Sequence, residues 1–272
     1  MQLLELLKAA IIGIIQGITE WLPISSTGHM ILADQFIKMN VSPEFMDLFL
    51  VVIQFGSILA VVVLFFHKLN PFSPRKTEKE KKDTISLWLK VLVGVIPAGI
   101  VGVLFEGPIK DTFYKPIPIA VALIVYGILF IILENRHKKP RINNFDELDY
   151  KTALFIGIFQ ILALIPGTSR SGSTILGAVF LGTSRYVAAE YSFFLAIPIM
   201  FGASALDMVK YGFHFTGPEI SVLLTGMIVA FLVSVLAIKF LLGYIKKHDF
   251  KAFGYYRIIL GAAVLLYFLF IK

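Results

Sequence analysis

The sequence predicts an all-α polytopic membrane protein: an inverted-topology repeat with about six transmembrane helices, two re-entrant broken-helix hairpins, and N and C termini outside. Three observations carry this expectation. Of the 272 residues, 57% are hydrophobic and 16% charged, against roughly a quarter charged in soluble domains, and mean hydropathy is +0.83. Lys and Arg gather in three short segments, and one Gly-, Pro-, Ser- and Thr-rich pattern occurs twice. The first observation excludes a soluble enzyme, a disordered chain and a nucleic-acid-binding reading of the +7 charge. With no Cys in the chain, disulfide frameworks and thiolate metal sites are excluded too.

A spanning helix needs about 20 mostly apolar residues. Segments 85–105, 116–133, 220–245 and 256–271 are the clean candidates. Two longer apolar regions, 3–66 and 150–208, are each interrupted by small and polar residues. Glu5 precedes the first apolar run and no small-residue cleavage site follows it, so the N-terminus is not read as a cleavable signal. The chain reads as a single transmembrane domain over 1–272, with repeat one at about 1–135 and repeat two at about 150–272.

Orientation follows from the basic residues. Segments 67–84, 134–151 and 239–257 hold 16 of the 25 Lys and Arg, whereas 106–116 and 207–219 hold few and carry acidic neighbours. Basic loops face the cytoplasm, so the other two loops lie outside. Each irregular region then makes an odd number of net crossings, with length to spare for a hairpin.

The repeat pairs Gly13, Gln16, Pro23 and Gly28 with Gly157, Gln160, Pro166 and Gly172 across one residue of gap. A second echo sets 55–60 against 201–206. Copies separated by an odd number of crossings are upside down to each other, an architecture that places a polar site where the two breaks meet.

What each break carries points to its chemistry. Gln16 and Glu20 share a helix face at i and i+4. Pro23 then interrupts that helix, and Ser25, Ser26 and Thr27 can cap a new one with His29 one turn on. An intramembrane Glu beside a His is a functional candidate by default; the competing reading of each is a satisfied packing residue. The second break offers Gly167, Thr168, Ser169, Arg170, Ser171, Ser173 and Thr174: a guanidinium, hydroxyls, and backbone N–H groups at a helix start, all suited to an anion. The competing reading there is a capped helix with Arg170 paired to Glu20 as structural glue. An acid/base and nucleophile set facing a phosphate cradle points to phosphoryl transfer on a substrate held in the membrane.

Residues 20–29 (Glu-Trp-Leu-Pro-Ile-Ser-Ser-Thr-Gly-His) and 166–174 (Pro-Gly-Thr-Ser-Arg-Ser-Gly-Ser-Thr) resemble the two signature motifs of the undecaprenyl-diphosphate phosphatase family, the bacitracin-resistance proteins. Segments 51–60 and 184–194 are similar as well, and the likeness spans nearly the whole chain. The resemblance implies a bacterial plasma-membrane enzyme that removes the terminal phosphate of undecaprenyl diphosphate, a polyprenyl lipid carrier of cell-wall synthesis. It places the family's catalytic residues on Glu20, Ser26, His29 and Arg170, with Gln16 as the neutral variant of a carboxylate pair. It further implies a divalent cation, Mg²⁺ or Ca²⁺, with Glu20 as the protein's metal ligand; one carboxylate plus substrate phosphates can hold Mg²⁺. Gln54, within 51–60, is a candidate for lining the substrate site. Expected partners are the lipid substrate and membrane lipids, with no nucleic acid, and oligomeric state is left open, a homodimer included.

In the expected mechanism Arg170 and the 167–174 hydroxyls and N–H groups clamp the diphosphate. Ser26 attacks the terminal phosphorus, His29 takes its proton, and Glu20 orients His29 or holds the metal. Attack by His29 or by metal-bound water remains open at this stage. A flippase or secondary transporter would share the inverted-repeat architecture. A phosphatidic-acid-phosphatase-type enzyme fails on residues, since the position six after Arg170 is Leu176 and six after Arg185 is Tyr191. Remaining polar residues read as bland: His67, His137 and His248 interfacial, Glu190 and Asp207 at helix ends, and Gln160 bonded between helices.

Overall fold

A computed structural model describes residues 2–136, 139–212 and 214–270. His137, read as interfacial, and Lys138, counted among the loop cations, lie outside the described residues. Eleven α-helices are present among the described residues and no strands, only a single bridge between Ile142 and Thr183. They are α1 (Gln2–Thr19), α2 (Ser26–Phe36), α3 (Pro43–Leu64), the single turn α4 (Phe66–Leu69), α5 (Glu78–Phe113), α6 (Pro116–Asn135), α7 (Tyr150–Ile161), α8 (Arg170–Phe180), α9 (Arg185–Tyr211), α10 (Gly217–Tyr244) and α11 (Lys251–Phe270).

Seven of these are long and apolar enough to cross a membrane: α1, α3, α5 over its span to Phe105, α6, α9, α10 and α11. The protein is therefore a multi-pass membrane protein. The sequence expects about six spans; the seventh helix of sufficient length is α1, the first limb of the first broken region. At 1.5 Å per residue α1 reaches about 27 Å, whereas α2, α7 and α8 reach only about 17–18 Å, too short for a hydrocarbon core of about 30 Å. Helix α5 departs from helical geometry at Phe105 (φ −122°, ψ 15°), three residues before Pro108.

The apolar residues sort by surroundings. On α10, Leu224, Ile228, Leu232, Leu236 and Phe240 recur every four residues and are all more than half exposed. An apolar stripe of that length would be a liability in water and is the expected face toward lipid acyl chains. The interior is aromatic around α9, where Tyr191, Phe193 and Phe194 are fully buried together with Trp21.

Helix pairing follows a pattern. The pairing of α1 with α10 has a counterpart in α7 with α5, and that of α3 with α10 in α9 with α5, while α6 packs on α11 and α3 on α9. Glycines let backbones approach closely in both members of the first pair. A Cβ at Gly13 would lie 2.7 Å from the Gly226 carbonyl oxygen, and one at Gly157 would press still closer on that of Gly94. Small residues serve this purpose in membranes because lipid supplies no hydrophobic drive between helices, leaving close packing to hold them. The second echo also meets itself, Phe55 lying 6.0 Å from Phe201 between ring centroids.

Candidate active site

Each break ends in a strained serine. Helix α1 stops at Thr19, the chain turns through 20–24 past Pro23, and α2 begins at Ser26 with Ser25 as its N-cap, accepting from Gly28 N at 3.3 Å. Helix α7 gives way to a short 3-10 turn at Leu162–Leu164, and α8 begins at Arg170 with Ser169 as N-cap, accepting from Gly172 N at 3.1 Å. Ser25 has φ 73° and Ser169 φ 74°; among the described residues these are the non-glycine positions in left-handed backbone. Strain of this kind clusters at functional sites, where the surroundings over-determine it. Here a capping hydrogen bond and the packing of the opposite break hold it.

The two breaks touch through a web of polar contacts. Arg170 Nη2 donates to Glu20 Oε1 at 3.3 Å, and Arg170 Nη1 donates to the Ser192 carbonyl of α9 at 2.7 Å. The guanidinium also lies 5.8 Å from the Trp21 ring. Glu20 Oε2 accepts from Gln16 Nε2 and from Ser26 Oγ, both at 3.0 Å. One carboxylate thus gathers the amide before the break, the hydroxyl after it and the guanidinium of the other break. The Glu20 and Arg170 side chains keep about a tenth of their surface accessible, so the cluster is desolvated but reachable.

His29 stands apart from this cluster. Its Nδ1 lies 2.8 Å from the Ser25 carbonyl, and its Nε2 lies 2.6 Å from the Tyr256 hydroxyl of α11. A carbonyl can only accept, so the hydrogen sits on Nδ1 and the neutral ring offers its Nε2 lone pair to Tyr256. The expectation that Glu20 orients His29 is corrected: Tyr256 and the Ser25 carbonyl do so. Likewise the Ser26 hydroxyl donates to Glu20 rather than to His29.

The expected phosphate cradle also changes. Thr168 Oγ1 donates to Leu162 and Ile165 carbonyls, Ser171 Oγ lies 3.2 Å from the Glu20 and Leu22 carbonyls, Ser173 Oγ donates to Tyr126, and Thr174 Oγ1 reaches the Arg170 carbonyl and Ser192. These four hydroxyls are buried and fasten the break. Gly167, at φ 95°, packs where a Cβ would lie 2.6 Å from the Ile119 carbonyl, so its small size serves the approach to α6. Ser25 and Ser169 cap helices, and Thr27 sits half-buried in the first turn of α2. Gln54 bonds back to the Leu50 carbonyl of its own helix at 3.2 Å. Gln160 does link helices, donating to the Gly94 carbonyl. Glu190 is buried and is held by Lys68 and the Tyr186 hydroxyl rather than merely ending a helix.

One residue was misread from sequence. Arg257 counts as a loop cation in the positive-inside arithmetic, yet it is fully buried in α11. Its Nη1 donates to the Pro23 carbonyl at 3.1 Å, and its Nη2 to the Gly167 and Thr168 carbonyls at 2.7 and 2.9 Å. It also stacks over Tyr126. The two ends of one guanidinium therefore hold the two breaks together. The signal was present: Arg257 is the second residue of the apolar run 256–271, and an Arg inside such a run is a functional candidate.

The residues from 9 to 263 match the family model of bacitracin resistance protein BacA. The chain belongs to the BacA family. Within this family's curated relatives, undecaprenyl-diphosphatase 1 of Clostridioides difficile is 65% identical, with 98% of this chain and 97% of the relative covered. Undecaprenyl-diphosphatase of Acetivibrio thermocellus is 63% identical over 99% of this chain and all of the relative, and that of Enterococcus faecalis strain V583 is 58% identical over 98% of each. The BacA match thus runs through both breaks and into α11 past Tyr256 and Arg257.

A divalent cation is implied by the resemblance. Among the described residues no three His, Cys, Asp or Glu side chains converge to form an all-protein cage. Glu20 supplies one carboxylate, and the neutral Gln16 amide donates to it rather than adding a second charge. That set fits a cation such as Mg²⁺ whose coordination is completed by substrate phosphates and water.

Proposed function

We propose that this chain is a bacterial plasma-membrane phosphatase that hydrolyses undecaprenyl diphosphate to undecaprenyl phosphate and phosphate, recycling a lipid carrier of cell-wall synthesis and conferring bacitracin resistance. The observation that carries the chemistry is the Glu20 carboxylate shared by Ser26 and Arg170 across the two breaks. The names of the relatives give the substrate.

In the reaction Arg170 holds the diphosphate and offsets the charge developing on the transferred phosphoryl group. Ser26 Oγ attacks the terminal phosphorus as its proton passes to Glu20 Oε2, to which it already donates. The bond from that phosphorus to the bridging oxygen breaks, and undecaprenyl phosphate leaves. Water then attacks the phosphoserine phosphorus, its proton drawn to His29 Nε2 through the Tyr256 hydroxyl that already donates there, and the bond to Ser26 Oγ breaks as Glu20 returns its proton to that oxygen, releasing phosphate. Glu20 would hold a divalent cation, which would supply charge neutralisation on the phosphate oxygens.

The proposed topology is an inverted repeat with both termini outside and six crossings, by α3, α5, α6, α9, α10 and α11. Helices α1–α2 and α7–α8 form the two re-entrant hairpins. The matched pairings of α1 with α10 and α7 with α5, and the paired strained serines, support this reading.

The test is phosphate release from undecaprenyl diphosphate by protein purified in detergent, which no transport activity could produce. Glu20→Gln, Ser26→Ala and Arg170→Ala are each expected to lower the rate by about 10²–10⁴-fold, and EDTA to abolish it until Mg²⁺ or Ca²⁺ is restored. Full activity of Ser26→Ala overturns the covalent route, and absence of phosphate release from the wild type overturns the function.

A further inference from the structure

At the end of the molecule where the basic segments collect, a cavity of about 730 Å³ opens between the end of α6, loop 139–142 and the turn joining α8 to α9. Arg136, Lys139, Arg141 and Arg185 line it, against one carboxylate, Glu134. That carboxylate is already satisfied: Arg185 holds both its oxygens, at 2.5–3.2 Å, and Phe250 N donates to it at 3.1 Å. The three other cations have no carboxylate within ion-pair distance among the described residues. Arg136 instead lies over the Phe180 ring at 5.8 Å, and the Arg141 guanidinium donates to the Leu181 carbonyl at 3.5 Å.

A second feature is independent of charge. Thr183 lines the same cavity, is 3% exposed, and its Oγ1 has no hydrogen-bond partner. A buried hydroxyl left unmatched costs about 1–3 kcal/mol, and one beside uncompensated cations has the chemistry of an anion ligand's donor. The walls are built rather than loose. Arg141 and Ile142 backbone N–H groups both donate to the Gly182 carbonyl, and Ser184 N donates to the Ile142 carbonyl. At the rim, Phe180 and Tyr186 are 55% and 40% exposed, placing apolar surface beside the cations.

We propose that this cavity is a binding site for a phosphate-bearing anion, and that its occupant is the headgroup of an anionic phospholipid, with the guanidiniums and Thr183 Oγ1 on the phosphate and Phe180 and Tyr186 against the acyl chains. Basic pockets between membrane helices take such headgroups, and Arg suits phosphate oxygens through its planar fork. A free phosphate shares the polar chemistry but leaves the apolar rim unused. The site is separate from the breaks and does not depend on the proposed reaction.

Thermal unfolding of the full-length protein in nanodiscs tests it, with phosphatidylcholine alone, phosphatidylcholine plus phosphatidylglycerol, and phosphatidylcholine plus inorganic phosphate. Phosphatidylglycerol is expected to raise the wild-type midpoint by at least about 2 °C. The Arg136→Gln/Lys139→Gln double variant, which breaks no ion pair of the described fold, should lose most of that increment. Thr183→Val should match or exceed the wild-type midpoint in phosphatidylcholine, since it removes an unpartnered hydroxyl, and should lose part of the phosphatidylglycerol increment. No phosphatidylglycerol increment in the wild type, or its full retention in the double variant, overturns the site. An equal increment from inorganic phosphate overturns the lipid as occupant.

Discussion

Replacing Arg257 isolates what holds the two breaks in register. The guanidinium makes three hydrogen bonds to backbone carbonyls, one on the first break and two on the second, with no exposed surface. A hydrogen bond to a charged group contributes about 1.5–3 kcal/mol, so simple addition gives an upper range of about 5–9 kcal/mol. The bonds share one group and the freed carbonyls relax, so the loss should approach that of breaking a buried charged network, about 3–5 kcal/mol. Arg257→Met leaves three carbonyls without their donor. Arg257→Lys keeps the charge, but its single nitrogen cannot reach both Pro23 on one side and Gly167 on the other. A displacement of about 1 Å between Arg170 and Ser26 is worth about 10²-fold in rate. Phosphate release and thermal unfolding, measured together in detergent, should show Arg257→Met slowed about 10²-fold or more with a lower midpoint, and Arg257→Lys between it and the wild type. An Arg257→Met protein with wild-type kcat/KM and midpoint would refute the reasoning.

Three further outcomes are expected. Tyr256→Phe removes the hydroxyl on His29 Nε2, and a loss of about 1 kcal/mol should lower kcat about fivefold with KM and unfolding midpoint little changed; an unchanged kcat removes Tyr256 from any positioning role. Gly157→Ala forces a methyl against the Gly94 carbonyl, an overpacking worth about 1–3 kcal/mol that should lower the midpoint by several degrees. Gly99→Ala, in the same α5 helix as Gly94 but with open space at its Cβ, should match or exceed the wild-type midpoint, as Ala outranks Gly in a helix by about 1 kcal/mol.

The broken helices were legible because their signals are local. Pro23 and Pro166 stop helices by their own geometry, and Ser25 and Ser169 cap the next ones within three residues. Gln16 and Glu20 met as expected because i and i+4 share a helix face whatever surrounds them. The hydroxyls of 168–174 are ambiguous for the same reason: a run of Ser and Thr reads alike whether it faces a ligand or fastens a break. Only the neighbours decide, and here Tyr126, Ser192 and the carbonyls of the first break take those protons. Gln54 likewise lay in a family-like segment and turned back to its own helix.

The sequence by itself pointed to a helical membrane protein, to where its breaks fall, and to Glu20, Ser26, His29 and Arg170 as chemical candidates. These follow from covalent geometry and from what an apolar solvent permits a backbone to do. The tertiary structure decided that Glu20 serves Ser26 and Arg170 at once, that His29 answers to Tyr256, and that Arg257 is the bolt between the breaks rather than a topological charge. Those contacts join residues up to 234 positions apart. Their partners are set by helix packing, which no local pattern records.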